Sequence, residues 1–177
     1  TAQPLAAKLG LEIQLRSGLL ETAYGEWTDQ SLKKLRRDKQ WKTVQSAPSR
    51  FRFPGGETFP EAQQRICQEL EALARQHAPQ DLIDCFSHAD PIRLAVAFYI
   101  GLPLDMFQRL GISPGSLTLL QLSETAARLL ALNLDPAFSL GPPLPNKGLR
   151  RPLPSPPASP RQLLTIYCLL ITDNCLP

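Results

Sequence analysis

The residues best placed to do chemistry are those of Ser87-His88-Ala89-Asp90-Pro91-Ile92-Arg93. Before them runs Leu82-Ile83-Asp84-Cys85-Phe86, apolar and of strand length, and after them Ile92 to Tyr99 reads as a helix closed by Gly101. The expected helix start has Asp90 as N-cap and Pro91 as first helical residue, a position with no amide partner to lose. His88 therefore falls at the carboxyl end of a strand and beside a helix N-terminus. Free amides and the helix dipole favour an anion there, and open α/β sheets hold ligands at that edge. Leu19 to Trp27 fits neither period and reads as a loop, where a carboxylate such as Glu21 pairs readily with a neighbouring arginine.

The elements that must position these groups follow from pattern. Thr1 to Gly10 has the look of a helix body that begins mid-element, so the chain is expected to be N-terminally truncated. Leu11-Glu12-Ile13-Gln14-Leu15 alternates as a short half-buried strand would. Ser31 is placed to cap a helix through Leu35, and Trp41 with Val44 suggests another short helical piece. Pro54-Gly55-Gly56-Glu57 marks a turn, and Thr58-Phe59-Pro60-Glu61 fits a capping box. Phe59, Ala62, Ile66, Leu70, Leu73 and His77 then recur at helical spacing. His77, near the end of that helix, suits the dipole there rather than catalysis. Asp105 is expected to cap a helix through Leu110. Leu117–Leu122 and Arg128–Asn133 read as a hairpin.

Composition narrows the class. With 177 residues, 43% apolar and 20% charged, the chain can build one domain with a real core. A net charge of +3, without a basic stripe carrying aromatics, gives no sign of a nucleic-acid partner. Four cysteines lack a CxxC pair and there are only two histidines, so no metal site is expected. No signal peptide and no apolar run near 18 residues is present, so no membrane partner is expected, and free thiols suit a cytoplasmic setting. From Asp135 the composition changes, with ten of 18 prolines in 136–177. A disordered proline-rich tail over 135–177 is therefore expected beside a folded unit over 1–134. Within that tail Leu163 to Ile171 is apolar and could serve as a strand or a docking segment.

Three motifs, Leu20-Glu21-Thr22-Ala23-Tyr24-Gly25-Glu26-Trp27, Pro54-Gly55-Gly56-Glu57-Thr58 and Ser87-His88-Ala89-Asp90-Pro91-Ile92-Arg93, occur in an order that resembles the histidine phosphatase superfamily, also called phosphoglycerate mutase-like. Gly111 to Leu117 resembles that family's final strand entry, and the likeness is closest to its bacterial probable-phosphomutase branch. The resemblance implies a three-layer α/β/α sandwich with a mostly parallel sheet, whose first strand would be missing here. It implies a phosphatase or phosphomutase acting on small phosphate monoesters through a phosphohistidine, with no cofactor. By motif position His88 matches the second, phosphate-stabilising histidine and Glu21 the proton donor. Arg93 is read as a substrate contact or, more simply, as a structural ion pair. No Arg-His-Gly, the family's nucleophile motif, occurs in the chain, so no nucleophile is assigned and the chain as given is expected to be inactive. The alternative is a non-catalytic module that binds a phosphorylated ligand or a protein. Trp27 is read as packing, Gly55 and Gly56 as turn residues, and Asp29 as a departure from a common glycine.

Overall fold

The computed structural model describes residues 2–78, 81–123, 126–135 and 165–172, the last as backbone. Local chemistry sets most of its helices. The short α2 (Leu32–Leu35) starts at Ser31, whose hydroxyl accepts from the Lys34 amide, and α3 (Trp41–Ser46) follows. The long helix α4 (Phe59–Gln76) opens with the expected capping box: Thr58 Oγ1 accepts from the Glu61 amide and the Glu61 carboxylate accepts from the Thr58 amide. Its buried positions are Phe59, Ala62, Ile66, Cys67, Leu70 and Leu73, one face of a 3.6-residue repeat.

The other two helices differ from expectation. Helix α1 (Ala2–Leu9) forms but buries none of its residues, and Leu11–Leu15, expected as a strand, is irregular, with Leu15 94% exposed. Alternation alone does not make a strand; a neighbour must accept its amides, and none is present here among the described residues. Helix α5 (Ala89–Tyr99) begins two residues earlier than expected. Its N-cap is His88, extended at φ −117° and ψ 167°, and the Ile92 amide already donates to the His88 carbonyl. Asp90 does not cap, because its carboxylate is taken by Arg93 and Tyr24. Similarly, Leu104–Arg109 is a 3₁₀ turn that starts after Pro103, and Asp105 instead accepts the Ser49 amide.

Four strands make one sheet: β1 (Leu82–Ser87), β2 (Leu117–Ser123), β3 (Ala127–Leu134) and β4 (Thr165–Thr172), in the order β1-β4-β2-β3. Strands β2 and β3 are the expected antiparallel hairpin, with register shifts near Leu119. Strand β4 runs parallel to β1 and antiparallel to β2. The expected mostly parallel sheet is thus corrected to one parallel and two antiparallel pairings. The expected third layer does not appear among the described residues. Cys85, Leu120 and Leu122 point with α4 and α5 into one core, while the opposite face leaves Leu82 and Leu130 exposed, so the described residues form two layers. Within the tail expected over 135–177, residues 165–172 take the strand option open to the apolar run and lie inside the sheet. The proline-rich stretch 142–160 lies outside the described residues.

Two cores join at α4 and α5. One is aliphatic, with Ile66, Leu70, Ile92, Val96, Leu120 and Leu122. The other is aromatic: Trp27, Phe51, Phe53, Phe59 and Phe107 pack with ring centroids 4.9–5.6 Å apart, confirming Trp27 as a packing residue. It anchors the Tyr24–Trp27 loop to the foot of α4.

Because β1 meets β2 only through β4, a proline in β4 should be felt by the whole sheet. Leu169 lies opposite Asp84 on one side and Leu119 on the other. Leu169→Pro removes a ladder amide and is expected to cost roughly 1–3 kcal/mol for the acceptor left unpaired. Thermal unfolding followed by circular dichroism checks this; an unchanged midpoint would remove β4 from the stabilising framework.

Candidate active site

The site lies where β1 ends and α5 begins. Ser87, the last residue of β1, donates its hydroxyl to the Leu19 carbonyl at 2.7 Å, which draws the loop carrying Glu21 over the strand end. His88 follows immediately, and the first amides of α5 have no acceptor within the helix. The structure brings Glu21 and His88 together: Glu21 Oε2 is 3.9 Å from His88 Nδ1. Among the described residues that buried nitrogen has no hydrogen-bond partner.

Around this pair sit Asp90 and Arg93, with Tyr24, to which sequence reasoning gave no role. The Tyr24 hydroxyl donates to Asp90 Oδ2 at 3.1 Å, and Arg93 Nη1 donates to Asp90 Oδ1 at 2.9 Å. Both Asp90 oxygens thereby have donors, and the Arg93 cation offsets part of a charge that would repel an anion at the helix N-terminus. Arg93 also donates through Nε to the Leu110 carbonyl at 2.9 Å, so it stands as a structural ion pair one step behind the pocket. These two bonds use Nε and Nη1 of Arg93 and leave its Nη2 without a partner among the described residues, so the substrate-contact reading of Arg93 stays a proposal.

The loop itself is pinned by backbone-to-backbone contact. The Glu26 amide donates to the Pro54 carbonyl at 2.8 Å, and the Glu57 amide donates to the Ala23 carbonyl at 3.0 Å. Gly25 and Gly56 are where the two loops cross. A Cβ on Gly25, at φ +55°, would lie 2.1 Å from the Pro54 carbonyl oxygen, and one on Gly56 would lie 2.1 Å from that of Ala23. Gly56 is therefore more than a turn residue: it allows the close approach that sets the height of the Glu21 loop. Asp29 takes φ +59°, so the chain keeps the left-handed shape that a glycine would adopt freely.

Arg65 of α4 closes the arrangement from below. Its Nη1 donates to the carbonyls of Gly18 at 3.0 Å and Leu20 at 2.9 Å, and its Nη2 to that of Glu21 at 3.2 Å. The same guanidinium forms a two-toothed pair with Glu57, at 2.6 and 3.3 Å, while Glu57 Oε1 also accepts the Ala23 amide at 2.8 Å. Nothing in the sequence marks Arg65 among 19 basic residues. Its partners are carbonyls over forty positions away, and carbonyls carry no sequence signal.

Electrostatics follow from this packing. Burial pushes the Glu21 carboxyl up to about 7, helped by the charge of Asp90 and opposed by the Thr22 amide, Tyr24 and Arg65. Near neutral pH it thus holds a proton that it can release. Burial, with Asp90 and Glu21 alongside, raises the Tyr24 phenol far beyond its ordinary value, so it stays a donor. His77, by contrast, caps the far end of α4, 3.7 Å from Asp81. Among the described residues no cluster of His, Cys, Asp and Glu could hold a metal ion, and no helix is long and apolar enough to cross a membrane.

Comparison with known proteins agrees with this frame. The model of the histidine phosphatase superfamily (branch 1) matches residues 1–135. The chain belongs to the histidine phosphatase superfamily. Solved structures share the fold at low identity. A mycobacterial glucosyl-3-phosphoglycerate phosphatase in complex with inorganic phosphate is 21% identical, with TM-score 0.61, covering 75% of this chain and 70% of that one. The α-ribazole phosphatase of Shigella flexneri is 22% identical, with TM-score 0.60, covering 75% and 66%. Mycobacterial hydrolase 1 is 22% identical, with TM-score 0.61, covering 75% and 68%. Among curated proteins none matches the sequence.

Two outcomes check the site's construction. Gly56→Ala should destabilise the protein by roughly 1–3 kcal/mol, since backbone must move to make room; urea unfolding measures it. The raised Glu21 carboxyl sets a sign for pH. The native state holds this proton more tightly than the unfolded chain, whose carboxyl titrates at the ordinary 4.5. Its contribution to stability is therefore complete below 4.5 and is lost as pH rises through about 7. Glu21→Gln, which mimics the protonated form, should match the parent at acid pH and exceed it in stability at pH 8.

Proposed function

We propose that this chain handles phosphate monoesters of small molecules, with His88 contacting the phosphate and Glu21 giving its proton to the leaving oxygen. The observation that carries this reading is the half-buried Glu21 carboxyl, raised to about 7 and set 3.9 Å from an unpartnered imidazole nitrogen at the N-terminus of α5. A phosphoryl group in transfer spreads charge over its equatorial oxygens, and an imidazole beside free helix amides supplies donors for them. When the ester P–O bond breaks, the departing alkoxide needs a proton, which a carboxyl titrating near neutrality can provide.

By family resemblance the acceptor of the phosphoryl group is a histidine, with a new P–N bond replacing the broken P–O bond. Water or a second hydroxyl then takes the phosphoryl group, giving a phosphatase or a phosphomutase outcome. The chain has two histidines. His77 is at the far end of α4, and His88 holds the position of the stabilising partner, so the attacking group is not assigned within residues 1–177. Turnover by this chain is accordingly proposed to be negligible. That same observation favours a second reading, a module that binds a phosphorylated ligand without converting it.

Calorimetric titration with inorganic phosphate tests the binding half. Saturable binding is expected, weakened by about tenfold or more in His88→Ala, the size of one charge-assisted hydrogen bond. No saturable binding at millimolar phosphate would sink the reading. Hydrolysis of an aryl phosphate tests the other half: robust, His88-dependent turnover by residues 1–177 would make His88 itself the attacking group.

A further inference from the structure

We propose that Arg65, with Glu57, is a positioning residue for Glu21: the pair fixes the height of the 17–24 loop and so holds the Glu21 carboxyl in its half-buried place beside His88. The proposal rests on the reading of Glu21 as the acid of the site, and it reaches that residue through the backbone rather than through its side chain.

The geometry points to this in three ways. First, the Arg65 guanidinium donates to four carbonyls of one short loop, Ser17, Gly18, Leu20 and Glu21, including the carbonyl of the acid's own residue. An arginine serving only as a surface ion pair would need Glu57 alone. Second, Glu57 completes the circuit, since Oε1 accepts both from Arg65 Nη2 and from the Ala23 amide, two residues beyond Glu21. The loop is thus gripped on both sides of Glu21, by a cation on its carbonyls and by an anion on its amide. Third, the planar fork is what this requires. Lysine carries the same charge but cannot direct five fixed N–H vectors to several oxygens at once. Charge and position can therefore be separated by experiment.

The groups facing the Glu21 carboxyl are the Thr22 amide, Tyr24, Asp90, His88 and the more distant Arg65. Burial is the largest influence on it, and the charge of Arg65 a small one that lowers its titration point. If Arg65 acted through charge alone, Arg65→Lys would leave that titration point in place. Acting through position, the same substitution frees the loop, lets water reach the carboxyl and moves the titration point down toward the ordinary carboxylate value.

The test is ¹³C NMR of the full chain with labelled glutamate side chains, in phosphate-free buffer, with Glu21→Gln identifying the Glu21 resonance. In Arg65→Lys the Glu21 midpoint is expected to fall by about one unit or more. In Glu57→Gln, which keeps an acceptor for the Ala23 amide but weakens the grip of Arg65, a smaller shift of the same sign is expected. A Glu21 midpoint unchanged in a folded Arg65→Lys or, should that variant not fold, in Glu57→Gln, would overturn the proposal. Failure of both variants to fold would likewise overturn it, by making the pair a general requirement of the fold. Phosphate takes no part in the measurement, so its result stands apart from that of the phosphate titration.

Discussion

The loop from Ser17 to Trp27 has no strand or long helix of its own, yet it carries Glu21 to within 3.9 Å of His88, and the structure depends on how that loop is held. Backbone carbonyls removed from water must find donors. Here the donors come from a guanidinium on α4 and from the crossing of two glycine-containing loops. Glycine is needed at the crossing because the Gly25 and Gly56 backbones approach carbonyl oxygens more closely than any Cβ allows. A loop secured in this way behaves as a scaffold, and the side chains on it can be aimed.

Helix α4 is the common support. One face fills both cores, with Phe59 and Ala62 in the aromatic one and Ile66 to Leu73 in the aliphatic one. Its polar flank turns Arg65 toward the loop, and its first turn is fixed by the Thr58–Glu61 box directly after the Pro54–Glu57 turn. Packing, capping and loop attachment therefore meet within 12 residues, from Pro54 to Arg65. A disturbance of this helix would reach Glu21 before it reached His88, which is held separately by β1 and α5.

The sheet obeys a longer-range constraint. β1 and β2 are joined through α5 but do not touch; the strand between them comes from 165–172. Such pairings gain nothing until a long segment has closed, and their formation is correspondingly slow compared with that of the local helices. The consequence for the site is that β1, whose end sets the position of His88, is aligned by the most distant part of the chain, with Ser87 opposite Thr172.

How much of this was legible in the sequence depends on range. Periodicity and cap chemistry act over a few residues, so the sequence by itself determined α4 with its capping box, the β2–β3 hairpin, the turn at Pro54–Gly56 and the position of His88 between a strand and a helix. The order of three motifs also pointed to the superfamily. It could not determine where α5 starts, because Asp90 had two suitors, the helix N-cap and the Arg93–Tyr24 pair, and only packing chose between them. The alternation of Leu11–Leu15 promised a strand that no neighbour among the described residues pairs. The apolar run ending at Ile171 left its use open, and tertiary structure made it an inner strand that changes the sheet from mostly parallel to mixed. The Glu21 carboxyl and the reach of Arg65 were likewise decided only in three dimensions. A pKa depends on which residues exclude water and a carbonyl's partner on which backbone folds past it, and neither is written in the spacing of neighbouring side chains.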